Sequence, residues 1–245
     1  RATGTVVANE RSLTVVAVKF PGFVEALSVS VTGADVRAGE PLMRVWLESP
    51  ELLRKQVDLI LAMRGVAGSD GQRVSIEAAE RNLRQFDFPQ SAIEQVKRSG
   101  EPQRSILWVA PTAGTVIEKP AMVGMRFQAG DPLFRLVDLS TVWVMAELSE
   151  RDLGLVRVGQ KAELHLRTAP DAPLEGKVDF SYPDVNMATR TGKVRIELRN
   201  TDRRIKLGSF ADVSINARMS ADAVIAVPES AIIDNGTRRV AIVAR

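Results

Sequence analysis

The sequence predicts a mainly β, multidomain chain with an α-helical hairpin: a β-sandwich split in two by the helices, an antiparallel β-barrel, and a partial further β domain. Three features of the 245 residues predict it. A glycine-punctuated pattern occurs twice, the segment between the copies has helical periodicity, and alternating apolar runs bounded by turn residues follow the second copy. With 45% apolar residues the chain can bury several small cores.

Residues 1–17, which include Thr5-Val6-Val7, read as N-terminal strands belonging with the barrel or the further domain. Residues 18–47 hold the first copy of the pattern: Val18-Lys-Phe-Pro-Gly-Phe-Val, then Val31-Thr-Gly-Ala-Asp-Val-Arg-Ala-Gly-Glu-Pro-Leu-Met-Arg-Val45. Residues 105–138 hold the second: Val109-Ala-Pro-Thr-Ala-Gly-Thr-Val, then Val123-Gly-Met-Arg-Phe-Gln-Ala-Gly-Asp-Pro-Leu-Phe-Arg-Leu136. Gly33 matches Gly124, Gly39 matches Gly130, Pro41 matches Pro132 and Leu42 matches Leu133, each at a spacing of about 91 residues. Gly22 and Gly114 correspond after a one-residue shift. Gly39 and Gly130 suit a positive φ in a tight turn, and Gly22 and Gly114 permit a bend or bulge. The prolines can open the next strand without supplying a ladder donor. Four short strands cannot bury two faces, so the halves are expected to pack face to face with pseudo-twofold symmetry.

Residues 48–104 read as the helical hairpin. Ser49-Pro50 is a cap with proline at the first helical position, and Leu52, Leu53, Val57, Ile60 and Leu61 fall on one stripe. Gly65 to Gly71 breaks the pattern, and a second helix starts near Ser75 with Ile76, Ala79, Leu83 and Phe86 on its stripe. Pro89 interrupts it. Ser91 with Glu94 reads as a capping box for a short third helix closed by Gly100.

Residues 139–221 read as the barrel. Val142, Val144 and Ala146 alternate with Trp143 and Met145, and further strands fall at 162–167, 176–182, 192–199 and 211–217. Gly159-Gln160, Asn200-Thr-Asp202 and Gly208 mark turns. Residues 222–245 start a truncated domain, with two strands about the hairpin signal Asp234-Asn-Gly236.

Composition narrows the function. Aromatics are 5% and the net charge is +3, which argues against base or sugar stacking and against nucleic acid as a partner. There is no cysteine, hence no disulfide, thiolate metal site or cysteine nucleophile, and one histidine allows no multi-histidine metal cage. No run reaches the roughly 18–20 apolar residues that span a bilayer. The chain reads as an excerpt of a longer mature protein whose export signal or anchor lies upstream.

The split repeat resembles the two half-motifs of a lipoyl (biotinyl-like) domain, and its interruption by helices followed by a barrel resembles the periplasmic adaptors, or membrane fusion proteins, of RND efflux systems. Pro111-Thr-Ala-Gly-Thr-Val116 is similar to the family's re-entry into the second half-motif, and Leu139-Ser-Thr-Val-Trp-Val-Met-Ala-Glu147, with Glu150 and Leu153, to the barrel entry. Thr189-Arg-Thr-Gly-Lys-Val-Arg-Ile-Glu197 with Leu207-Gly-Ser-Phe-Ala-Asp-Val213 is similar to its closing strands, and Val227-Pro-Glu-Ser-Ala-Ile-Ile233 to the entry of the membrane-proximal domain. The short, broken hairpin resembles the heavy-metal branch (copper/silver or zinc/cobalt/cadmium adaptors). Two departures stand out: Ser209-Phe210 where many relatives carry Pro-Gly-Met, and no methionine ligands in Arg1 to Phe20.

The resemblance implies a non-enzymatic subunit, in the periplasm and associated with the inner membrane. It would link an inner-membrane RND transporter to an outer-membrane channel, self-associate into a ring, and serve the efflux of heavy-metal cations. A periplasmic metal-binding chaperone outside any pump is the alternative. No catalytic residue and no bound cofactor are expected; a transient zinc or other divalent heavy-metal ion is the ligand the family raises. The lysine of a lipoyl carrier has no place here, because helices occupy its hairpin.

For such an ion the candidate is His165, on a barrel strand facing away from Leu164 and Leu166, with Glu163 ill-placed to help; an ordinary surface histidine is the plainer reading. The seven methionines, Met122 and Met125 among them, read as packing residues. For partner binding the candidates are Arg64 and Arg73, flanking the hairpin tip, with solvated surface as the other reading. Arg81, Arg84 and Lys97 read as solvated. The acid pairs Glu147/Glu150 and Asp179/Asp184 read as turn and edge residues.

Overall fold

The computed structural model describes residues 2–65, 75–167, 169–216, 232–234 and 239–241. Its strands are β1 (Ala2–Ala8), β2 (Leu13–Ala17), β3 (Gly22–Leu27), β4 (Asp35–Val36), β5 (Pro41–Leu47), β6 (Ser105–Val109), β7 (Gly114–Glu118), β8 (Arg126–Phe127) and β9 (Pro132–Val137). They continue with β10 (Thr141–Ser149), β11 (Lys161–Leu166), β12 (Ala169–Asn186), β13 (Thr191–Arg199), β14 (Phe210–Ile215), β15 (Ile232–Asp234) and β16 (Arg239–Ala241). The helices are α1 (Pro50–Met63), α2 (Ile76–Gln85), α3 (Gln90–Ser99) and α4 (Glu150–Leu153). Two compact units result, one of Thr5–Val144 with Glu197–Phe210, the other of Arg1–Gly4, Met145–Ile196 and Ala211–Arg245.

In the first unit two four-stranded sheets, ordered β2-β9-β7-β4 and β6-β5-β3-β8, form the sandwich. The repeats explain the order. Gly33 N–H donates to Val116 O at 2.7 Å and Gly39 N–H to Ala110 O at 2.8 Å, so the first copy's turns bind the second copy. Gly124 N–H donates to Val24 O and Gly130 N–H to Val18 O, both at 2.8 Å, so the second copy binds the first. All four glycines have φ between 81° and 90°, a region open to glycine at little cost.

Two expectations need correction. The halves do not each make one sheet: β4 crosses to pair with β7 and β8 crosses to pair with β3, because a two-residue strand cannot be stable alone and finds its ladder only on the other copy. Leu13–Ala17 is not a barrel strand. It pairs with β9, Val15 opposite Arg135, and takes on that edge the place β6 takes beside β5. Both strands opened by Gly22 and Gly114 do carry an irregularity, with register shifts between Val24 and Ala26 and between Val116 and Glu118; crowding adds a second reason for glycine, since a Cβ would stand 2.3 Å from Trp46 O at Gly22 and 2.9 Å from Val137 O at Gly114.

The sandwich core continues without a break into the helices, from Val18, Phe20 and Phe134 to Leu59, Leu83 and Ile93. Ser49 Oγ accepts from Leu52 N–H at 3.2 Å and Pro50 opens α1. The buried face of α1 runs through Leu52, Gln56, Leu59 and Ile60, while Val57 of the expected stripe is exposed. On α2, Ala79 and Leu83 are buried and Ile76 is exposed. The expected Ser91–Glu94 capping box does not form: α3 begins at Gln90 behind Pro89, which leaves Ser91 inside the first turn. Gly100, at φ 66°, closes α3.

Six strands close the barrel in the order β1-β10-β13-β12-β11-β14. Val142, Val144 and Ala146 are buried, but so is Trp143, which lies beneath Arg11 with the guanidinium 5.5 Å from the ring centroid. A cation over the indole, plus an Nε1–H bond of 3.4 Å to Glu197, covers a ring that strict alternation would have left wet. The turn after β10 holds α4, too short for periodicity to reveal; Leu153 fills the space a side chain at Gly192 would need. β15 and β16 pair as an antiparallel two-stranded sheet, and residues 235–238 of the hairpin signal lie outside the described residues.

Candidate functional site

The helical segment is clamped to the sheet at its base. Gln56, fully buried in α1, accepts from Gln103 N–H at 2.7 Å and donates to Gln103 O at 3.0 Å. Its side chain thus imitates one rung of a β-ladder against the strand leading to β6. Lys19 reaches from the sandwich to Asp87 at 2.9 Å and to Gln85 O at 3.5 Å, at the C-terminal end of α2 where a cation is favoured. A polar residue inside an apolar helical stripe was the one sequence signal for Gln56; nothing local signals Lys19.

Arg64 caps α1 and is exposed, but its guanidinium rests beside the end of α3: a terminal nitrogen would lie 3.8 Å from a Cβ at Gly100. Unpaired carbonyls at a helix end favour a cation there. Arg73 lies outside the described residues. Arg84 and Lys97 converge on Glu80 at 3.0 and 2.8 Å and tie α2 to α3.

The sequence reading missed a pairing across 168 positions. Asp35, at the crossing strand β4, accepts from Thr115 Oγ1 at 2.6 Å and pairs with Arg203 from the loop after β13. The Thr115 hydrogen bond, with the Arg203 guanidinium, holds the Asp35 carboxyl below its ordinary 3.8, against the opposing pull of burial. Asn200 anchors that loop: its buried amide donates to Leu139 O and Ile205 O, both at 3.0 Å, and accepts from Ile205 N–H at 2.9 Å. The pair borders an open cleft of about 900 Å³ with Arg37, Glu40 and Asp138 on its walls.

His165 is half-exposed on the outer face of β11, between buried Leu164 and Leu166. Glu163, expected to be ill-placed to help, lies 3.1 Å from Nε2, because same-face neighbours two residues apart on a strand are only about 6.6 Å apart and both side chains are long enough to bridge that gap. Across the ladder His165 faces Asp212, whose carboxylate is 3.6 Å from Arg167. Among the described residues no three His, Cys, Asp or Glu side chains are grouped closely enough to hold a metal ion. Asp179, expected to be a turn or edge residue, accepts from Arg195 Nε at 2.9 Å. Met43 is fully buried and Met125 packs on the core, while Met122 is exposed. No helix among the described residues is long and apolar enough to cross a membrane.

The order of a split sandwich, its helical insert and a closed barrel has a counterpart. Residues 13–137, half of the chain, match the family model "CusB, barrel-sandwich hybrid domain", and residues 141–219 match "CusB-like, beta-barrel domain". The chain belongs to the CusB family of membrane fusion proteins. The first match begins at Leu13, which is where β2 joins the sandwich.

Among CusB-family relatives, the cation efflux system protein CusB of Escherichia coli (strain K12) is 25% identical over 231 residues, covering 94% of this chain and 55% of that protein. The cobalt-zinc-cadmium resistance protein CzcB of Cupriavidus metallidurans is 30% identical over 135 residues, 55% of this chain and 26% of that one. The crystal structure of ZneB from Cupriavidus metallidurans shares the fold, with a TM-score of 0.59 at 23% identity over 89% of this chain and 97% of that one. The chain spans about half the length of the curated relatives it matches along nearly all of its own.

Proposed function

We propose that the chain is the adaptor part of a heavy-metal efflux assembly, joining an inner-membrane RND transporter to an outer-membrane channel from the periplasmic side. Its work is mechanical: the barrel faces the transporter, the sandwich associates with further copies as a ring, and the helices point to the channel. One observation carries the reading. The helical segment leaves a sandwich that two distant repeats rebuild around it, and a closed barrel follows, in the order of the two matched family domains. Shared core residues and the Gln56 rung make helices and sandwich one stiff body, suited to passing on a displacement. Heavy-metal cations are the cargo by likeness to relatives named for cation efflux and for cobalt, zinc and cadmium resistance.

Affinity purification of the chain from solubilised envelopes tests this. Transporter and channel should co-purify, and loss of the chain should raise the sensitivity of cells to one or more heavy metals. Recovery of the chain alone, with metal tolerance unchanged, would refute it.

A further inference from the structure

The unit made of Arg1–Gly4, Met145–Ile196 and Ala211–Arg245 carries an apolar knob and an apolar hole. The knob is the turn between β12 and β13, whose backbone is tied down. Asn186 Oδ1 accepts from Ala188 N–H at 2.9 Å and Thr189 N–H at 3.3 Å, Arg190 N–H donates to Asn186 O at 2.7 Å, and Arg190 O accepts from Glu150 N–H at 3.1 Å. That ordered turn holds Met187 in water, 94% exposed, with Val185 exposed two residues before it. The hole is a pocket of about 150 Å³ lined by Ala2, Leu148, Leu155, Val213 and Ile215, with Asp152 as its charged wall. In the closed order β1-β10-β13-β12-β11-β14, the β13–β12 seam that carries the knob lies opposite the β14–β1 seam that carries the hole. The charges match as well. Arg190 is exposed on the knob and, among the described residues, pairs with no carboxylate; Glu150 meets it through the backbone. Asp152 bonds Ser149 Oγ at 3.0 Å and no cation: Arg157 donates to Gly154 O and Val156 O instead, and Arg151 makes no ion pair among the described residues.

We propose that copies of this chain join head to tail through this unit, Met187 of one copy entering the pocket at the β14–β1 seam of the next and Arg190 meeting its Asp152. The inference rests on the self-association in the function proposed above and assigns it a contact on the barrel. The occupant is a second copy because the chain itself supplies both halves: an uncovered apolar side chain beside a cation, and an apolar pocket with room for one small hydrophobic group beside an anion. Placement on opposite sides makes the contact heterologous. Such a contact repeats in one direction and closes as a ring where the rotation allows, whereas a self-complementary patch would stop at a dimer.

The chain has no cysteine, so M187C combined with A2C, in the full-length protein made in cells that hold its native partners, reports this contact alone. Mild oxidation should give disulfide-linked dimers and a ladder of larger species, while M187C or A2C by itself should give none. M187C with V123C, at an exposed position of the other unit, is the control. Adding R190D sets two carboxylates against each other and should lower the yield about tenfold, and D152R together with R190D should restore it. Both positions are exposed, and an unchanged melting temperature checks that the fold is kept. A yield no higher than with V123C, a disulfide within one chain, dimers from M187C alone, or indifference to R190D would each overturn the contact. Amine cross-linking of the parent separates the two readings: a ring still seen there leaves the proposed assembly standing and removes only this contact, and no ring removes both.

Discussion

Replacing Gln56 by leucine should loosen the base of the helical segment without unfolding the sandwich. The side chain is fully buried and makes two hydrogen bonds to one backbone unit, accepting at 2.7 Å and donating at 3.0 Å. Leucine of similar volume keeps the packing and removes both bonds, which at ordinary net values costs about 1–3 kcal/mol. Gln103 is only half-buried, so water can reach its stranded N–H and C=O, and the extra apolar side chain offsets part of the loss; the net expected is about 1–2 kcal/mol. Glutamate should be worse than leucine at neutral pH, because a carboxylate can accept from Gln103 N–H but repels Gln103 O. Amide hydrogen exchange is the assay that locates the effect. Protection at Gln103 should fall by about five- to thirtyfold, as that free energy implies, while amides of β3 and β9 stay unchanged. Equal protection at Gln103 in Q56L and the parent would refute the claim that this side chain is the clamp.

Other outcomes follow from the same geometry. In urea unfolding, G39A and G130A should each cost about 1–2 kcal/mol and match one another, since a side chain there meets open space and only backbone strain opposes it; G22A should cost more than either because its Cβ strikes Trp46 O, and a mismatch between the matched pair would break the pseudo-symmetry. Asp35 has a lowered folded pKa, so its contribution is present above the unfolded value near 3.8 and is lost as pH falls through the lower folded value. D35N should therefore be less stable than the parent at neutral pH, by roughly 1 kcal/mol or less for so exposed a pair, and the gap should close in acid; a gap constant to pH 2 would contradict the sign. Calorimetric titration with zinc should be unaltered by H165A, because one imidazole and one carboxylate make an incomplete ligand set; loss of a saturable site would make His165 a ligand.

The repeat, the helices and the barrel strands were legible because each rests on a local period or on turn residues that only particular conformations accept. Gly39 and Gly130 show their positive φ in sequence by recurring at equal spacing. What stayed hidden depends on partners far along the chain. Crossing of the two-residue strands β4 and β8 leaves no trace in periodicity, since two residues have none. Leu13–Ala17 alternates as a barrel strand would, and only pairing with β9 assigns it to the sandwich. The α1 stripe was read too broadly: apolar Val57 is outside, and polar Gln56 is inside because a backbone unit meets it there. Asp35 and Arg203 come together through the fold alone, and Glu163 reaches His165 because side-chain length spans the short distance between same-face neighbours.

Trp46 and Ser105 face one another on adjacent strands, so the segment between them departs from and returns to neighbouring rungs of one ladder. Its endpoints stay put however many residues are added, and closing a longer excursion costs only about 0.6 kcal/mol for each doubling. Helix adds reach at about 1.5 Å per residue. One body plan can therefore be tailored to gaps of different width by lengthening or shortening a single stretch, with the rest of the chain left as it is.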